Sequence, residues 1–291
     1  MDLSDYIDKT RKLIYETIDE EIPKLPGKKD SPEVFARQAM RYLITNKNGS
    51  LSRPLLLKAT SDMYGISDSI SLPLGFTAEA IHCASLILDD LGCMDDARTR
   101  RGKRCTHLQY GNATANMVVH KLKDLATQII IDSYLLDSDV IIALSSEIGS
   151  TSLRMFEGQN ADLRGKDTSI EALIQMYSDK TSALLSYSLA APAIVAEEEE
   201  EVEILKEIGN NLGIWYQIND DIMDISMTSK EAGKTTGTDE KSLVVVHGMD
   251  IANRLKMEYY EKTIEGLESL SGDNEILSRI IKHKMESSRA H

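Results

Sequence analysis

The chain is short of the features that staple or mark out many specialised proteins. Its 291 residues hold three cysteines, six prolines, three phenylalanines and one tryptophan. Cys83, Cys93 and Cys105 are odd in number and never fall in C-x-x-C spacing, which excludes a disulfide framework and a thiolate zinc site. Few prolines leave long stretches free to be helical. Basic charge is also scarce: 33 Lys and Arg stand against 47 Asp and Glu, a net charge of −14. Nucleic-acid binding, which needs a basic surface, is therefore not expected. The opening Met1-Asp2-Leu3-Ser4-Asp5 lacks the basic and apolar regions of a signal peptide. The longest mainly apolar stretch, Ala183 to Ala196, is too short to span a bilayer. The expectation is a cytoplasmic protein with no membrane span.

What the chain does have is helical periodicity and 42% apolar residues. Ile14, Ile18 and Ile22 repeat every turn, as do Ile170, Leu173, Ile174 and Tyr177, and then Ile204, Ile208, Leu212 and Trp215. Val244-Val245-Val246 could form a short strand, but no neighbouring segment offers a partner. The pattern predicts an all-α protein. Gly, Pro, Ser and Asn clusters at 25–27, 46–52, Gly92, 102–111, 165–168, 232–237 and 271–273 predict its breaks. None reads as an interdomain linker, so a single domain over 1–291 is expected. Thr168 with Glu171 predicts a capping box. The Glu197 to Glu201 run predicts a solvated helix start.

Two acidic clusters sit inside otherwise apolar helical segments. Asp89 and Asp90 follow the apolar run Ala80 to Leu88, with Asp95 and Asp96 beyond Gly92. Paired carboxylates at the end of a buried helix need neutralising, and a hard divalent cation with oxygen ligands does this. On a continuous helix Asp95 would stand about 240° from Asp89. The expectation is that Gly92 ends the helix and lets Asp95 fold back. Asp220, Asp221 and Asp224 form the second cluster, with Asp220 and Asp224 one turn apart on one face. Cations accompany both: Arg100-Arg101-Gly102-Lys103-Arg104 after the first, Lys234 after the second, and Lys180 between them. An anionic ligand held by metal plus Arg and Lys fits this pattern.

Taken in order, these residues resemble the trans-polyprenyl diphosphate synthase family, which includes farnesyl and geranylgeranyl diphosphate synthases. Asp89-Asp90-x4-Asp95 with Arg100-Arg101-Gly102 is similar to its first aspartate-rich motif. Glu79-Ala80-Ile81-His82 is similar to the helix leading into it. Gly158-Gln159 with Asp162-Leu163 matches G-Q-x-x-D-L, and Lys180-Thr181 matches K-T. Tyr216-Gln217-Ile218-x-Asp220-Asp221-Ile222-x-Asp224 matches the second aspartate-rich motif, followed by Gly233-Lys234 and Gly237-x-Asp239. Each motif alone is weak, and the ordered set, from about Arg53 to Lys241, is specific.

The resemblance implies an isoprenoid synthase fold of roughly ten or more helices around a central cavity, usually a homodimer. It implies that Asp89, Asp95 and Asp220 hold three Mg²⁺ ions on an allylic diphosphate, with Asp90, Asp221 and Asp224 supporting them. Arg100, Lys180 and Lys234 would bind that diphosphate, and Thr181 and Gln217 would face the allylic cation. Arg53, His82 and Arg101 would bind isopentenyl diphosphate. The small Ala84 and Ser85 before Asp89 would leave room for a product of geranylgeranyl size or longer.

The match fails at one place. Where the family has G-G-K-R-x-R-P, this chain has Asn48-Gly49-Ser50-Leu51-Ser52-Arg53-Pro54. At about 1.5–3 kcal/mol per charge-assisted hydrogen bond, losing two cations would weaken binding roughly a hundredfold or more unless Lys58 or another residue compensates. Smaller departures are Val119-His120 for the usual Gly-Asp, Gly92 for the usual Pro, and a shorter loop after Asp239. Three readings stay open. The chain elongates allylic diphosphates with isopentenyl diphosphate. It uses the allylic half alone, as a terpene cyclase or irregular coupling enzyme. Or it is a regulatory subunit of a heteromeric prenyl synthase.

Overall fold

A computed structural model describes residues 2–24, 31–226 and 242–287. Among the described residues the fold is helical apart from one hairpin, and it divides into two compact units. Residues 1–58 and 67–137 form the first, and 59–66 and 138–291 the second.

The first unit is built on α4 (Asp68–Asp89) packed along α6 (Asn112–Ile131). Helices α1 (Leu3–Glu21) and α2 (Pro32–Ile44) flank this pair. The Ile14–Ile18–Ile22 stripe is fully buried, so the helical period read from these residues is the packing period. Helix α2 starts with Ser31 accepting from the Val34 amide and Pro32 at its first position, where no amide partner is lost. Helix α3 (Ser52–Met63) runs from the first unit into the second. Strands β1 (Thr99–Arg100) and β2 (Lys103–Arg104) form the hairpin, followed by α5 (Thr106–Tyr110). Periodicity could not show two-residue strands. Their signal is turn chemistry: Arg101 and Gly102 both take positive φ (53° and 74°), as a tight hairpin turn requires.

In the second unit α10 (Glu199–Ser226) is the central rod. It packs against α9 (Ala183–Val195) on one side and α12 (Met249–Ser269) on another. Helix α7 (Ser138–Arg164) packs on α9. Helices α8 (Ile170–Tyr177) and α9 are joined by a π-helical turn, Ser178–Ser182. Helices α11 (Leu243–His247) and α13 (Glu275–Ser287) complete the described chain.

Several expectations change. Val244–Val246 is helical, within α11: Ser242 caps it by accepting from the Val245 amide, which sets helical geometry over β propensity. The cap of α8 is Ser169, not Thr168, because Ser169 accepts from the Ala172 amide while Asp167 accepts from the Ser169 amide. Glu197 to Glu200 are exposed, but Glu201 is buried and takes hydrogen bonds from Tyr64 and Ser271. Burial works to raise its pKa, and those donors outweigh it and hold the carboxyl below its usual value. The longest apolar helix is α4 rather than the segment near α9. At 22 residues, with mean hydropathy 1.4 over its most apolar stretch, it could cross a membrane by length and composition, yet 67% of that stretch is buried inside the fold. An apolar helix surrounded by protein is a core helix.

Candidate active site

In the first unit, α4 delivers its acids at its last turn. Asp89 is half-buried, while Asp90 caps the helix and is buried. The backbone then reverses: the Asp95 amide donates to Asp89 O (2.9 Å) and the Asp96 amide to Leu91 O (3.1 Å). Asp95, exposed, is thus folded back beside Asp89 as expected, but not through glycine freedom at Gly92. The positive φ falls at Asp96 (47°), and a Cβ on Gly92 would meet only Asp96 Oδ1 at an ordinary 3.4 Å.

Asp90 plays a different part. Its Oδ1 accepts from Arg100 Nε (2.9 Å) and Nη2 (2.6 Å). Burial, with Asp90 close by, pushes the Cys105 thiol up to about 12, so this cysteine is an inert packing group. Arg101 is anchored in parallel. Its Nη2 donates to buried Glu79 (3.0 Å), and its carbonyl accepts from Asn46 and Asn48 side chains (2.9 and 3.2 Å). Its guanidinium lies on Gly49, where a Cβ would stand 2.7 Å from Nη1. Each buried carboxylate fixes one guanidinium, which an unpaired buried acid could not do cheaply.

These arginines converge with others on one histidine. Burial lowers the pKa of His82 well below its ordinary value, and Arg53, Arg101 and Arg100 push it further in the same direction. His82 thus lies in a cationic neighbourhood, in which Arg100 and Arg101 are already paired with Asp90 and Glu79. The divergent segment runs beside it. Leu51 is fully buried in the left-handed region (φ 51°), so it serves packing rather than ligand. Ser50 is exposed and accepts from Ser52 Oγ (3.1 Å). Lys58 pairs with Asp68 at 3.0 Å and is buried, so it does not stand in for the missing cations.

In the second unit, close helix approach does the positioning. A Cβ on Gly158 of α7 would lie 2.2 Å from the Lys180 amide nitrogen, and one on Gly213 of α10 2.5 Å from Ser182 Cα. Both glycines therefore let neighbouring helices press on the π turn that carries Lys180 and Thr181. Lys180 pairs with Asp162 of α7. Thr181 Oγ1 donates to Gln217 Oε1 (3.0 Å), and Gln217 Nε2 donates to Asp221 Oδ1 (3.2 Å). Asp221 is buried and also takes the Tyr177 hydroxyl and the Leu243 amide (2.9 Å). Arg154 braces the turn from outside, donating to Asp179 (3.0 Å) and Ser178 Oγ (3.0 Å). Asp220 is exposed and Asp224 half-buried, one turn apart on α10.

The two clusters follow one rule. The second acid of each pair, Asp90 and Asp221, is buried and tied to protein donors, whereas Asp89 is half-buried and Asp220 exposed. Among the described residues no three metal-ligating side chains converge on one point. That still fits Mg²⁺, which binds one or two carboxylates and completes its shell with waters and phosphate oxygens. Lys234, with Gly233, Gly237, Asp239 and Lys241, lies outside the described residues. Sequence reading missed the roles of Tyr177, Asp162, Glu79 and Arg154. Only Asp162 and Glu79 fall in a motif, and nothing local ties Tyr177 to an acid 44 positions away.

The polyprenyl synthetase family model matches residues 33–279. The chain is 31% identical to geranylgeranyl pyrophosphate synthase 10 of Arabidopsis thaliana over 92% of its own length and 79% of that protein. It is 33% identical to the farnesyl diphosphate synthase of Bacillus subtilis over 77% of each. Its fold superposes on the Helicobacter pylori geranyltransferase, solved with magnesium and isoprenyl diphosphate, with TM-score 0.84 at 24% identity, covering 99% of this chain and 98% of that one. The isoprenoid synthase fold, the ordered motifs and these matches agree: the chain belongs to the polyprenyl synthetase family and is a trans-prenyltransferase.

Proposed function

We propose that this prenyltransferase condenses an allylic diphosphate with isopentenyl diphosphate in a Mg²⁺-dependent reaction. The observation that carries the reading is a second cationic neighbourhood in the first unit, where the Arg101 guanidinium, held by Glu79, lies on Gly49 of the 48–54 segment and His82 is under the charge of Arg53, Arg100 and Arg101. An enzyme using only the allylic diphosphate has no need of a second anion site.

Asp89 with Asp95, and Asp220 with Asp224, would hold magnesium, three ions in the family pattern. Bound with substrate, the metal supplies positive charge to the departing diphosphate. In the family pattern Lys180, here steadied by Asp162, would bind that diphosphate. Gln217 is oriented through its amide by Asp221, which leaves its carbonyl oxygen beside Thr181 Oγ1. Those two dipoles favour positive charge on the allylic carbon. Arg53, Arg101 and His82 hold isopentenyl diphosphate, whose double bond attacks that carbon; the released diphosphate takes the proton lost. The protein would act as one cytoplasmic catalytic domain and as a homodimer.

Incubation with Mg²⁺ and dimethylallyl, geranyl or farnesyl diphosphate, each with and without isopentenyl diphosphate, tests this. Longer diphosphates should form only when isopentenyl diphosphate is present. Hydrocarbons or alcohols without it would replace the reading by a cyclase. Turnover appearing only with a second synthase subunit would replace it by a regulatory one.

Product size is expected to be geranylgeranyl or longer, and the structure moves the residue that tests it. Ala84 is buried at 1% exposure in helix packing, so Ala84→Phe would disturb the core. Ser85 is half-buried, one turn before Asp89 on the same face of α4. Ser85→Phe should shorten the main product by at least one isoprene unit, read by chromatography of the dephosphorylated alcohols. An unchanged product profile would remove Ser85 from the length determinants.

A further inference from the structure

Arg100 and Arg101 each have a carboxylate partner, so each pair adds no net charge to the anion site. Arg11, on the first helix, is different. Its Nη2 donates to the Gly49 carbonyl at 2.8 Å, a neutral acceptor, and no carboxylate among the described residues pairs with it. Tyr15, one turn along α1, donates to the Asn46 carbonyl at 3.1 Å. Helix α1 therefore grips the 46–49 loop at two points. The same Gly49 lies against the Arg101 guanidinium, so Arg11 and Arg101 flank one glycine. Burial raises the Tyr15 pKa, and among the charges acting on its phenol are Arg11, Glu79 and Arg101, which places all three in one neighbourhood.

The position matters because the next residue is Ser50, exposed, followed by buried Leu51. These are the two places where a pair of cations is missing. Arg11 brings a whole positive charge to this gap in a chain whose net charge is −14. A guanidinium has five N–H donors, and its bonds to the Gly49 carbonyl and the Tyr15 hydroxyl leave others for an oxyanion. Because the loop carbonyl already holds its orientation, little side-chain freedom is lost on binding.

We propose that Arg11 replaces the lost loop cations and binds the diphosphate of isopentenyl diphosphate together with Arg53, Arg101 and His82. The proposal rests on the elongation reading above, and its test separates the two. Arg11→Gln keeps an N–H donor for the Gly49 carbonyl and removes the charge. The expected result is a rise of about tenfold or more in the KM for isopentenyl diphosphate, the size of one charge-assisted bond. The KM for the allylic diphosphate and the kcat at saturation should stay as in the wild type. Adding Ser50→Lys to Arg11→Gln should recover most of the lost affinity, which a purely structural role for Arg11 would not allow. Calorimetric titration with isopentenyl diphosphate in the absence of Mg²⁺ gives the same comparison without turnover. A wild-type enzyme that fails to elongate overturns the elongation reading. An Arg11→Gln variant that binds isopentenyl diphosphate like wild type, weakens both substrates equally, or gains nothing from Ser50→Lys overturns the role of Arg11.

Discussion

Asp89→Ala and Asp220→Ala will each lower kcat/KM by on the order of 10²–10³-fold or more, the scale of losing one preorganised charge-stabilising group. Both should melt at nearly the wild-type temperature. Asp220 is exposed and Asp89 half-buried, so truncating either disturbs less packing than truncating a fully buried acid. Asp221→Ala should behave otherwise. Its carboxylate takes bonds from the Tyr177 hydroxyl, the Gln217 amide and the Leu243 amide in a buried setting. Leaving those donors without an acceptor costs about 1–3 kcal/mol each, so the variant should lose stability together with activity. Asp90→Ala should resemble Asp221→Ala, because it frees Arg100. Thermal melts beside steady-state kinetics read the difference. Four variants with one common pattern would contradict the division of labour within each aspartate pair.

The second large effect is expected from a single methyl group. In Gly158→Ala the new Cβ would fall 2.2 Å from the Lys180 nitrogen, 2.6 Å from its Cα and 2.7 Å from the Asp179 carbonyl carbon. All three are backbone atoms and cannot rotate away. Either α7 or the π turn must move, at about 1–3 kcal/mol for overpacking. A displacement near 1 Å at Lys180 and Thr181 can cost about a hundredfold in rate. Gly149, on the same helix with nothing near its would-be Cβ, is the control. Gly149→Ala should be neutral or stabilising by up to about 1 kcal/mol, since alanine is the better helix former. Wild-type melting and rate in Gly158→Ala would show that the close approach has no mechanical role.

How much of this was legible in the chain depends on the distance over which each feature is decided. Helices were readable because their stripes are local: Ile14, Ile18 and Ile22 are buried as their spacing implies. The aspartate clusters were readable because their acids are neighbours in sequence. Which acid of each pair is buried was not readable, because Asp90 is claimed by Arg100 ten residues on and Asp221 by Tyr177 and Leu243 on other helices. The hairpin at 99–104 escaped because its strands are two residues long, and only the turn at Arg101-Gly102 marks it. Ser169 replaced Thr168 as a cap by one residue, a difference that side-chain geometry settles and composition does not. Arg11 gave no hint at all, since a helix-borne arginine reads as surface until the loop it grips is known.

The π turn at Ser178–Ser182 has a consequence for how one rod of helix serves two neighbourhoods. A π turn is an α turn with one residue too many, and that residue advances the phase of everything after it by roughly 100°. Helix α8 before the turn buries Leu173 and Tyr177 against Leu243, Val244 and the Ile214–Ile218 stretch of α10, whereas α9 after it presses on α7 and α10. The extra residue lets both faces be satisfied without a break in the chain. Lys180 and Thr181 stand at the seam, where the helix changes phase.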